Sequence, residues 1–202
     1  MRHRRWLLAL PLTLAPIKVR AQAAPAAAVV APPAAQQIAA AVLPLPAEFR
    51  ADAKVLGYSG SAHQLVTLRA GKGPFICLAD DPSAKEFHVA CYHQSMEPFM
   101  ARGRALRASG VVGDKVDSAR FAEVRAGKLA MPNHAAAMYQ LFGPPDAYDA
   151  ASGTAKAQSL YVVYMPGATT ASTGLSAKPA EGTPWIMFPG TPKAHIMLTP
   201  KM

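Results

Sequence analysis

The chain is short of cysteine, of charge, of acids and of long apolar runs, and each shortage removes a class of protein. Two cysteines in 202 residues exclude a disulfide-dense miniprotein. Charged residues make up only 16% and hydrophobic residues 51%, which is too apolar for a wholly disordered chain. No uninterrupted apolar run approaches the ~20 residues of a membrane-spanning helix, so no transmembrane anchor is expected in the mature chain. Acids number 12 against 21 bases, for a net charge of +9. Before Ala23 there is no acid at all, while Arg2, Arg4, Arg5, Lys18 and Arg20 fall there. Setting those five aside leaves 16 bases against 12 acids over 179 residues. The remaining charge is scattered apart from Arg102, Arg104 and Arg107, which flank one helix stripe and read as a solvated face. No nucleic-acid partner is expected.

Catalytic motifs are missing too. Gly57, Tyr58, Ser59, Gly60 and Ser61 would resemble a nucleophile elbow only with glycine in place of Ser61. Gly71 with Lys72 and Gly127 with Lys128 lack the glycine spacing of a phosphate loop. The helical pair of His flanking a Glu does not occur. The sequence assigns no catalytic residue, no metal and no cofactor.

What is present begins with an address. Residues 1–23 have a basic start, an apolar stretch from Trp6 to Ile17 and small residues at Ala21 and Ala23, the three parts of a bacterial signal peptide. Arg4 and Arg5 before Trp6 also fit twin-arginine export, so the general secretory and twin-arginine routes both remain. Residues 24–46 are rich in Ala and Pro and uncharged, which predicts a flexible or extended tether; Gln36 to Leu43 allows a short helical turn that Pro44 stops. Residues 47–202 are expected to form a single α+β domain in a periplasmic or secreted protein.

Within that domain, residues 54–58, 64–70, 74–79 and 87–93 are short strand-like segments separated by turn formers. Their short links predict an antiparallel meander. Apolar spacing predicts helices from Ser95 toward Gly110, over 118–126 and over 133–142. Strands return over 159–165, 185–188 and 195–199. The expected fold is an antiparallel sheet of about six or seven strands, with about three helices packed on one face.

Cys77 and Cys91 lie 14 positions apart on the strands flanking the turn at Asp80. If Asp81 pairs with Phe87, the register sets Cys77 opposite Cys91, and facing cysteines in an oxidising compartment form a disulfide.

Leu68 to Gly71, Cys77 to Pro82 with a second Cys at this spacing, Ala171 to Thr173, Ala177 to Pro179, Trp185 and His195 to Met197 together resemble a group of uncharacterised exported bacterial proteins. That group has a paired-Cys hairpin and a C-terminal Trp…His-x-Met region. The resemblance implies export and the disulfide, and it carries no activity with it.

Candidate ligand-binding residues are therefore Asp80, Asp81, Trp185, His195 and Met197. Asp80 and Asp81 before Pro82 read first as turn residues, and a loop over 167–183 beside Trp185 offers the rim of a pocket. His195 and Met197 share one strand face, a pairing that suits copper together with Met187. His88 and His93 fall on opposite faces, and His134 is expected at a helix start. The expected function is a non-catalytic module binding a small ligand or a cell-envelope partner. The alternatives are an enzyme with His195 as general base near Asp80 or Asp81, and a periplasmic copper-handling protein.

Overall fold

The computed structural model describes residues 30–60, 65–180 and 182–200. The expected leader, residues 1–23, lies outside them. The strand-like segments form β1 (Lys54–Tyr58), β2 (Leu65–Arg69), β3 (Phe75–Leu78) and β4 (Phe87–His93). A 3-10 turn over Gln94–Met96 leads into α3 (Glu97–Ala108), and α4 (Asp114–Arg125) follows. Then come β5 (Ala136–Gly143), the small hairpin β6 (Tyr148–Asp149) and β7 (Thr154–Ala155), β8 (Gln158–Tyr164), the short α5 (Thr170–Thr173), β9 (Trp185–Met187) and β10 (His195–Leu198). Ahead of β1 stand α1 (Ala34–Ala41) and α2 (Ala47–Arg50). The molecule is a mixed α+β protein on a single large sheet.

That sheet has eight strands in the order β2-β1-β3-β4-β5-β8-β10-β9, which corrects the expected meander. β3 does not lie beside β2; it returns across the hairpin and pairs with β1 in parallel. The short link between β2 and β3 must pass over the start of β1. A Cβ at Gly71 would sit 2.2 Å from the Lys54 amide nitrogen and 2.3 Å from the Asp52 carbonyl oxygen, so only glycine permits this crossing. The segment expected as a helix over 133–142 is instead β5, paired with β4 on one side and β8 on the other.

Cross-strand register sorts the side chains into two faces. Ile76, Tyr92, Met138, Val162 and Met197 follow one another across β3, β4, β5, β8 and β10, and this face packs on Met96, Phe99, Phe121 and Val124 of the α3–α4 layer. Cys77, Cys91, Tyr139 and Tyr161 follow one another on the opposite face, which packs on Ile38, Ala41, Val42 and Leu45 from α1 and its exit. Helices therefore cover both faces, not one.

The second layer comes from the stretch expected to be a tether. Pro33 stands just before α1 and Pro44 beyond it, so neither ring interrupts a helical hydrogen bond. Between them lie good helix formers. Ala41 is fully buried and Leu45 is 1% exposed, and burying one leucine contributes ~2–3 kcal/mol. Gln37 fastens the helix to β1: its amide nitrogen donates to the carbonyls of Tyr58 (2.8 Å) and Pro32 (2.7 Å), and its oxygen accepts from the Tyr58 amide (2.9 Å). Gly57 leaves room for it, since a Cβ there would lie 2.6 Å from the Gln37 oxygen. Residues 34–46 are part of the folded domain.

Cys77 and Cys91 are opposite one another and form a disulfide across a separation of 14. The Gln94 amide donates to the Pro74 carbonyl. Bonded and non-bonded pairs alternate along an antiparallel ladder, so Cys77 and Cys91 occupy a close, non-hydrogen-bonded position. Both are fully buried beneath α1. No described helix is long and apolar enough to cross a membrane.

Candidate functional site

A cleft of about 160 Å³ opens on the α1 face, between α1, the turn after β3, the start of β4 and the segment after β5. Its walls are Pro32, Pro82 and Pro145, the aromatics Phe87 and Tyr148, Gln36, Gln37 and Ala40 of α1, and one carboxyl, Asp80. Each wall has a local cause. The Phe87 and Tyr148 rings stack, with planes 7° apart and centroids 6.2 Å apart, which sets the β6–β7 hairpin against β4. The Ala147 amide donates to Pro144 and the Lys156 amide to Ala147, holding Pro145 at the mouth. The α1 wall is set by Gln37.

Asp80 carries the site's charge. One carboxylate oxygen accepts the His88 amide at 2.8 Å, which ties the turn to the first residues of β4. Burial pushes its carboxyl above the usual range, the neighbouring Asp81 adds to the rise, and the His88 amide works against it. Tyr58 lies against the same pair: burial first, then Asp81 and Asp80, push its phenol up to about 12. Asp81 itself closes the turn, accepting from the Ser83 amide (2.9 Å) and hydroxyl (2.7 Å), as the turn reading expected. It also faces a second, more open groove of about 540 Å³ with Tyr58, Leu65, Arg104 and Arg107. Arg104 is engaged there, bonded to Glu97 (2.7 Å) and to the Tyr92 hydroxyl (2.8 Å). Arg102 forms a bidentate pair with Glu123, so the three arginines do not make a free basic patch.

The other sequence candidates gather elsewhere. Trp185 stands opposite Met197, and His195 opposite Met187 and Tyr164. Three further strands separate β10 from β3, so four strand spacings, roughly 19 Å in all, lie between His195 and Asp80. They also sit at opposite ends of β4, because the His195 row continues through Tyr164 and Ala136. The pairing of His195 with Asp80 or Asp81 is thereby overturned.

His195 is 6% exposed and donates from Nδ1 to the Lys193 carbonyl at 2.7 Å. Tyr164 and Phe188 rings flank it at 5.0 and 5.8 Å. Burial pulls its pKa down, as does the Lys193 charge, against the opposing pull of the Lys193 carbonyl. Met197, on the same strand face as His195, is partly buried against the α3–α4 core. Among the described residues no group of three or more His, Cys, Asp and Glu is placed to hold a metal ion. Trp185 is 8% exposed, and its indole nitrogen has no acceptor among the described residues.

Around His195 an unforeseen network joins α4 to β10. Lys193 bonds Asp117 at 2.8 Å, Asp117 also pairs with Arg120, and the buried Arg120 guanidinium lies 3.9 Å over the Phe99 ring. Phe188, at φ 52°, is the one described non-glycine residue with positive φ, and Lys193 Nζ sits 4.5 Å over its ring. His134, expected at a helix start, lies instead beside His93, with ring centroids 5.8 Å apart. The cleft itself was half legible in the sequence: Asp80 and Pro82 stood out, but nothing local pointed to Phe87 and Tyr148, 61 positions apart, or to α1.

Comparison with protein-family models, with curated proteins and with solved structures finds no match to this chain.

Proposed function

We propose that this protein is an exported, non-catalytic module that binds a small ligand in the cleft at Asp80. The observation that supports it is the cleft's make-up: apolar rings on most sides, with one partly buried carboxyl converging on them, the pattern of small-molecule sites. The lining contains a carboxyl and a phenol but no His, Cys or Lys, so no nucleophile with its base stands at this cleft. The space is close to that of a 150 Å³ cavity that takes up benzene, which sets the ligand, or the part of it that enters, at the size of one ring. Export rests on the reading of residues 1–23, on the resemblance to exported bacterial proteins, and on the buried Cys77–Cys91 bond, which persists in oxidising compartments.

The test is a fragment screen of ring-sized compounds by thermal shift and ligand-observed NMR, run in parallel on Gln36→Phe. Gln36 lies on the rim and is only half-buried, so the larger side chain plugs the mouth without disturbing the core. Binders that stabilise the wild type and are lost in the plugged variant are the expected result. Binders unaffected by the plug, or none at all, contradict the proposal.

A further inference from the structure

We infer that the cleft takes a small organic ammonium, a protonated amine carried on a ring, with the nitrogen on Asp80 and the ring against the proline and aromatic walls. This rests on the reading of the cleft as a ligand site and names the ligand's chemistry.

The charge balance around Asp80 points to a cation. The four ion pairs among the described residues are Arg102–Glu123, Arg104–Glu97, Arg120–Asp117 and Lys193–Asp117, and none of them reaches Asp80. Its charged surroundings are instead the like-charged Asp81 and, on the solvent side, His88, whose ring is held by Gln140 at 2.8 Å. Among the described residues this half-buried carboxylate has no salt partner. An anionic ligand meets repulsion there, and a neutral one leaves the carboxylate's burial uncompensated.

The walls decide which cation. A hard divalent ion needs six or more oxygens in place of its hydration shell. The lining supplies one carboxylate, whose Oδ1 already serves the His88 amide, and the amides of Gln36 and Gln37, the latter already bonded to Pro32 and Tyr58; the rest is Ala40, prolines and aromatic rings, which falls short of that number. A carbon-borne ammonium asks for less. It donates to the second Asp80 oxygen in a charge-assisted bond, faces the negative π-surface of Tyr148, and buries its ring on Pro32, Pro82 and Pro145.

Isothermal titration of the whole protein near pH 7 with benzylamine, benzyl alcohol and benzoate separates these cases, since the three share one ring and differ in charge. Benzylamine should bind at least tenfold more tightly than benzyl alcohol, and benzoate more weakly than both. Asp80→Asn keeps an oxygen for the His88 amide but removes the charge, so it should fold and lose the tenfold preference. Benzyl alcohol binding as well as benzylamine, or an amine preference that survives Asp80→Asn, overturns the inference while leaving the cleft as a ligand site. If none of the three binds, and the fragment screen with the Gln36→Phe control also yields nothing, the inference falls together with the reading beneath it.

Discussion

Replacing Gln37 with leucine should separate α1 from the sheet. The side chain is 5% exposed and makes all its bonds to backbone. Pro32 is exposed and its carbonyl can turn to water, but the Tyr58 amide and carbonyl are covered and lose their only partner from α1. Leaving a buried backbone group unpaired costs about 1–3 kcal/mol. Two such groups at the middle of that range cost about 4 kcal/mol, and the ~1–2 kcal/mol that leucine gains over glutamine's own buried methylenes leaves a net loss of about 2–3 kcal/mol. That is a large part of the 5–15 kcal/mol typical of a domain. In urea, with a slope near ~2 kcal/mol/M, the unfolding midpoint should fall by about 1–2 M. Limited proteolysis should cut within residues 30–46 at rates the wild type does not show. A loss under about 1 kcal/mol, with no new cleavage there, refutes the reasoning and makes this segment an undocked tether after all.

Three further outcomes follow from the same geometry. Replacing Cys77 and Cys91 together by alanine should destabilise by ~3 kcal/mol, the loop-closure value for about 14 residues, read from urea unfolding; with both sulfurs buried, the wild-type bond should resist reductant until denaturant is added, which alkylation mass spectrometry measures. Asp80 has a raised folded pKa, burial first among its causes, so its contribution to stability is present below the ordinary carboxylate value and lost as pH rises through the folded one. Asp80→Asn should therefore raise the Tm at pH 7, and the gain should vanish below about pH 4. His195 is held neutral chiefly by burial, its folded pKa below the ordinary value. Stability from that source is present above about pH 6.5 and lost as pH falls through the folded pKa; His195→Gln should flatten this acid limb in thermal melts recorded from pH 7.5 to 5.

Much of the sheet could be read from the chain because its strands are short, apolar and bounded by strong turn formers. The Cys77–Cys91 register followed from the tight turn alone. The errors have physical causes. β5 lies between β4 and β8 with helices on both sides of the sheet, so both its faces are apolar and the two-residue alternation that marks a half-exposed strand is absent. Its alanines, Met138 and Leu141 then look helical. The crossing of the β2–β3 link over the start of β1 depends on Gly71 fitting against Asp52 and Lys54, a tertiary fact with no local period. In the Ala/Pro stretch, proline reads as a breaker, whereas Pro33 and Pro44 mark the ends of an eight-residue helix. The same prolines hide the candidate site in the sequence, since α1 forms one of its walls. Asp80 was visible from its turn signature; the rings of Phe87 and Tyr148 meet only because β4 and the β6–β7 hairpin converge.

The most direct measurement is a crystal structure of the full protein with benzylamine at saturation. The account predicts electron density between α1 and the turn after β3, with the nitrogen ~2.7–2.9 Å from an Asp80 carboxylate oxygen and the ring on Tyr148 and Pro82. Density beside His195 and Phe188 instead, with nothing at Asp80, contradicts it.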